Sequence, residues 1–93
     1  SFVHLYQLGE DPGVFPDGIK VGPNGNFFIG LNSAPVILEV TPDGTAVAAR
    51  HEFASQGTPN MTFSADGKTM YVMAVDNEAG APYEGRVLAA PLP

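Results

Sequence analysis

VFPDGIKVGPNGNFFIG, residues 14–30, holds two short apolar runs around a tight turn. Ile19 and Val21 end the first run, and Phe27, Phe28 and Ile29 form the second. Pro23-Asn24-Gly25 between them is hairpin chemistry, because glycine takes the turn conformation that other residues resist. Pro16 and Gly18 make a second break just upstream and hold an acid, Asp17, between them. Proline and glycine account for the break without accounting for the acid, so Asp17 reads either as a turn residue or as a ligand.

The rest of the chain repeats this style. Strand-like runs cover residues 2–8, 18–21, 26–30, 35–40, 46–53, 60–64, 69–75 and 86–92, rich in Val, Ile, Phe and Tyr. Pro42-Asp43-Gly44 and Asp66-Gly67 punctuate them as turns. Met61 and Phe63 alternate with Thr62 and Ser64, as on a strand with one buried face. MYVMAV (70–75) is apolar throughout and predicts burial on both faces. AVAARHEF (46–53) follows a turn and carries Val47, which favours a strand over a helix. The polar segment 76–85 reads as an exposed loop.

Composition narrows the class. The 93 residues suit one small domain, 44% are hydrophobic, and 11 Gly with 9 Pro favour turns over helix. With no cysteine, neither a disulfide framework nor a thiolate metal site is available, and the compartment stays open. A net charge of -6 argues against binding nucleic acid through its phosphates. No apolar run approaches the ~18 residues that span a membrane. Residues 1–8 lack the pattern of a signal peptide.

GIKVGPNGNFFIG and NMTFSADGKTMYVM share one plan: apolar strand, tight turn ending in glycine, apolar strand. Gly25 matches Gly67, and Ile37 in PVILEV matches Val87 in GRVLAA. Both offsets fall in the range of about 40–50 residues that marks one β-propeller blade. The expectation is all-β: about two blades of a propeller, each an antiparallel four-stranded sheet. Residues 1–15 would end a preceding blade, 16–57 form one blade and 58–93 an incomplete last one. A small β-sandwich is the alternative.

PDGIKVGPNGNFFIG, VILEVTPDG, TPNMTFSADGKTMYVM and GRVLAAPL, in that order, resemble the C-terminal part of the SMP-30/gluconolactonase/luciferin-regenerating family. These are calcium-dependent lactonases built as six-bladed β-propellers. The resemblance implies that Asp17 lies near the propeller axis, binds a divalent cation and acts as a base. Calcium is the expected ion, with zinc, magnesium or manganese as alternatives. Water would then attack a lactone or ester carbonyl. Asn60, at the matching place in the next repeat, is a candidate for lining the substrate pocket, although asparagine there more often bonds nearby backbone.

Other residues read as structural. Asp43 and Asp66 belong to turns, and Glu78 and Glu84 to the loop. His4 and His51 have no second histidine or carboxylate at ligand spacing. Ser1, Ser33, Ser55 and Ser64 lack a nucleophile elbow. The family's other metal ligands have no counterpart in these residues. The implied partners are therefore the remaining blades, from another chain or from copies of this one, and a small lactone. Two classes stay open: part of a metal-dependent lactone or ester hydrolase, or a non-catalytic propeller module that binds a ligand or a protein.

Overall fold

Hairpin turns set the course of the chain. The N–H of Gly25 bonds the carbonyl of Gly22 at 3.0 Å, that of Gly44 bonds Thr41 at 2.9 Å, and that of Gly67 bonds Ser64 at 3.0 Å. All three glycines have positive φ, which is why glycine and no other residue ends each turn. Asp43 and Asp66 lock two of these turns in the same way. Asp43 Oδ1 accepts from Thr41 Oγ1 and Thr45 Oγ1, both at 2.8 Å, and Asp66 Oδ1 accepts from Ser64 Oγ at 2.6 Å. Both acids are turn residues, as the sequence indicates.

The computed structural model describes residues 2–11, 13–76 and 84–93. Seven strands run in it: β1 Pro16–Val21, β2 Phe27–Leu31, β3 Val36–Val40, β4 Val47–Glu52, β5 Gly57–Phe63, β6 Thr69–Asp76 and β7 Glu84–Pro91. Every pairing is antiparallel, and no α-helix occurs among the described residues. Strands β1 to β4 form one meander and β5 to β7 a second. The two join into one curled sheet where Leu31 on β2 pairs with Thr58 on β5.

That junction is crowded. β1 pairs with β2 from Phe27 to Leu31, with a break in register between Pro16 and Ile19, and β5 also meets β2 at Leu31, through Thr58. A methyl group on Gly30 would overlap the Pro59 carbonyl, and one on Gly57 would overlap the Asn32 carbonyl. Backbone meets backbone here with no room for a side chain.

Alternation along β2 and β3 sends side chains to two sides. Ile29, Leu31, Val36, Leu38 and Val40 form one buried cluster, against which Leu5, Leu8 and Val14 pack. Phe28 and Ile37 face the other way and meet Met61, Met70 and Val72 of the second meander. β3 is thus buried along its whole length.

Two expectations are corrected. Residues 2–8 contain no strand; Leu5–Leu8 is a 3-10 helix closed by Gly9 in the left-handed region. The segment serves as a cap on the first meander rather than as a sheet strand. Arg50 on β4 holds it there by two bonds to the buried carboxylate of Glu10, at 2.9 and 3.1 Å. β6 is not buried on both faces: Met70, Val72 and Ala74 point into the core, while Tyr71 and Met73 on the other face are 41% and 51% exposed. Lys20 and Asn60 border that outer face without covering it, so about half of each apolar side chain stays in solvent. Glu78 and most of the loop expected at 76–85 lie outside the described residues; Asp76 ends β6 and Glu84 begins β7.

Phe28→Ala should cost about 3–5 kcal/mol, because it empties the core that both meanders share. Gly30→Ala should also destabilise clearly, whereas Gly85→Ala, where an added methyl group meets nothing within 4 Å, should not. Urea unfolding followed by circular dichroism measures all three. Equal midpoints for the two glycine variants would contradict the tight β2/β5 junction.

Candidate functional site

Asp17 lies on β1, exposed, and its carboxylate makes no hydrogen bond or ion pair with the described residues. Its neighbour Gly18 lies against Asn60 on β5. The crowded junction brings the two strands together, so Asp17 and Asn60 sit on adjacent strands although they are far apart in sequence. Asn60 Oδ1 is already engaged: it accepts from Lys20 Nζ at 2.9 Å and from the backbone N–H of Met61 at 2.9 Å. The bonding to its own backbone is the behaviour expected of asparagine at such a place; the lysine is an addition that the sequence reading missed.

These groups do not by themselves make a cation site. Calcium takes about six to eight oxygen ligands. The described residues offer one unpartnered carboxylate here and an amide oxygen occupied by an ammonium group. No cluster of three or more His, Cys, Asp or Glu side chains occurs among the described residues.

A second cluster was not legible as one in the sequence. Glu39 on β3 is 7% exposed, and three donors converge on it. Asn26 Nδ2 and Asn24 Nδ2 donate to Oε2 at 2.7 and 2.9 Å, and His51 Nε2 on β4 lies 2.9 Å from Oε1. The expectation that His51 has no carboxylate partner is therefore corrected. Ile37 is the residue paired with His51, and Glu39 lies two residues further along on the same face. A diagonal cross-strand pair of this kind is within reach of long side chains. The Phe28 ring stacks on the imidazole at a centroid distance of 5.7 Å.

Burial pushes the Glu39 carboxyl up, but the bonds from Asn26, His51 and Asn24 outweigh it and hold the group below its ordinary value. An ionised carboxylate only accepts hydrogen bonds, so Nε2 of His51 carries the hydrogen. His51 Nδ1 has no partner among the described residues. Both side chains border an open cleft of about 320 Å³, walled by Pro23, Ala49 and Leu92 among others.

The remaining candidates are structural. Ser33 Oγ accepts from the Phe15 N–H, Ser55 Oγ donates to the Gly57 carbonyl and Ser64 Oγ belongs to its turn. His4 precedes the 3-10 helix and its ring lies 5.6 Å from that of Tyr6.

Glu39→Gln is expected to lower stability at neutral pH by about 1.5–3 kcal/mol, the range for hydrogen bonds to a charged group. A carboxylate held below its unfolded value of 4.5 stabilises the fold above that pH and loses the effect as pH falls through the native value. The gap between wild type and variant should therefore close in acid. Urea titrations across the acid range test this; a gap independent of pH would contradict the ionised network. Compared with family models, curated proteins and solved structures, the chain finds no match, so both sites stand on their own geometry.

Proposed function

We propose that this chain is a portion of a larger β-propeller of the lactone- or ester-hydrolase type, with Asp17 at the catalytic centre. One observation carries the reading. β1 and β5, the first strands of the two meanders, run side by side at the junction, as the innermost strands of neighbouring blades would. That arrangement puts the unpartnered carboxylate of Asp17 beside the strand of its repeat. In this reading each meander is one blade, and the face bearing Tyr71 and Met73 would meet a further blade from another segment or another copy.

In this reading Asp17 accepts the proton of the water that attacks a lactone carbonyl and returns it to the ring oxygen as the acyl C–O bond breaks, opening the ring to a hydroxy acid. The geometry on this chain supports no step through a divalent cation; calcium would need donors from elsewhere in the assembly. Lys20 favours a second reading, a module that binds a ligand without catalysis, because an ammonium group at Asn60 stands where a pocket would otherwise offer oxygen.

Asp17→Asn in the complete assembly keeps the shape and removes the proton acceptor. Lactone hydrolysis in a pH-stat is expected to fall by about 10²–10⁴, the usual contribution of a general base. Asp43→Asn, an acid bonded within its own turn, should hydrolyse like wild type. Calcium calorimetry on both variants reports whether Asp17 also holds a cation. Turnover by Asp17→Asn equal to that of Asp43→Asn would overturn the hydrolase reading and leave the binding module.

A further inference from the structure

Glu39 and His51 stand apart from Asp17. Asp17 follows Pro16, which pairs with Leu31 at one end of β2, whereas Glu39 pairs with Phe28 near the other end. The hydrogen-bond pattern around Glu39 is more than a pin between turn and sheet needs. Asn24 and Asn26 already tie the 22–26 turn to Oε2, and the β3–β4 ladder already joins the two strands. What the third bond adds is orientation. It fixes the imidazole by Nε2 and stacks it on Phe28, while Nδ1 has no partner among the described residues and His51 borders a cleft of about 320 Å³. Among the described residues Glu39 is the one other titratable side chain on that cleft.

The geometry points to a proton-linked binding site for a small monocarboxylic acid, with His51 Nδ1 as the proton acceptor and Glu39 as the group that positions the ring. The chemistry follows from the parts. An unpartnered basic nitrogen takes a ligand that brings a proton. A carboxylic acid gives it up to an imidazole backed by a buried carboxylate, because the resulting imidazolium lies between two negative groups. The O–H bond of the acid breaks, an N–H bond forms at Nδ1, and the ligand carboxylate accepts a hydrogen bond from it. Pro23, Ala49 and Leu92 supply apolar wall for a short hydrocarbon body. A carboxylate arriving from neutral solution therefore brings one proton with it.

Butyrate is the probe and butyramide its uncharged control. Nitrogen-15 spectra of the free chain, taken near pH 8 and so above the ordinary range of histidine, should show His51 with its hydrogen on Nε2 and none on Nδ1. Saturating butyrate should move the Nδ1 signal to the protonated range, and calorimetry in two buffers of different ionisation enthalpy should count one proton taken up. Butyramide should do neither. Ala49→Leu narrows the cleft while leaving the Glu39–His51 bond in place, and should keep the free-state tautomer while weakening butyrate at least tenfold. Glu39→Gln should reduce the proton uptake. A hydrogen on Nδ1 in the free chain, no response to butyrate, or butyrate bound equally by Ala49→Leu would each overturn the site.

Discussion

The close approach of β5 to β2 governs this structure. Two meanders, each built from short local turns, become one sheet only because Gly30 and Gly57 let backbone pass against backbone. Among the described residues the Leu31–Thr58 pairing is the single rung between them. Everything else that matters depends on it. It presses Phe28 and Ile37 onto Met61, Met70 and Val72, and it sets β1 beside β5 so that Lys20 reaches Asn60. A side chain at either glycine would push against the Pro59 or Asn32 backbone and strain the contact on which the shared core and the Asp17 surroundings depend.

The buried acid shows how a polar group is kept in such a small core. Glu39 gives up hydration on a strand whose every residue is buried. An unpaired charge there would be strongly unfavourable. Three donors from two elements offset it, two from the 22–26 turn and one from β4. The turn that opens the sequence reading is therefore held by chemistry that comes from much later in the chain, and its two asparagines have a purpose beyond turn-making.

Much of this was legible in the sequence, and what was not has a physical cause. Strand periodicity and Asp-Gly or Asn-Gly turns are local signals, so β1 to β7 were visible, as were the roles of Asp43 and Asp66. The first strand-like run failed because apolar spacing over 2–8 does not distinguish an extended segment from a 3-10 turn that caps a sheet. Tyr71 and Met73 misled because apolar residues can face solvent wherever nothing covers them. The Glu39–His51 pair was missed because ligand spacing was sought along the chain. A hairpin at residues 41–46 brings the two together across strands, and the period-two positions 37, 39, 49 and 51 held that signal. For Asp17 the sequence supplied a position and an acid, while Lys20, its neighbour's partner, emerged only in three dimensions.

The meander plan also has a consequence for how the chain acquires this structure. Within each unit every strand pairs with the one next to it in sequence, joined by a short turn wherever the connection is described. Such hairpins close in about 1–10 μs, since little chain entropy is lost in bringing their ends together. Joining Thr58 to Leu31 is different, because two preformed sheets must meet in one register with Gly30 close against the Pro59 carbonyl and Gly57 close against that of Asn32. Docking of the units is then the slow, late step. Changes at the glycine junction would slow folding less through the hairpins than through this final fit, whereas changes at Gly25, Gly44 or Gly67 would act on the fast local events.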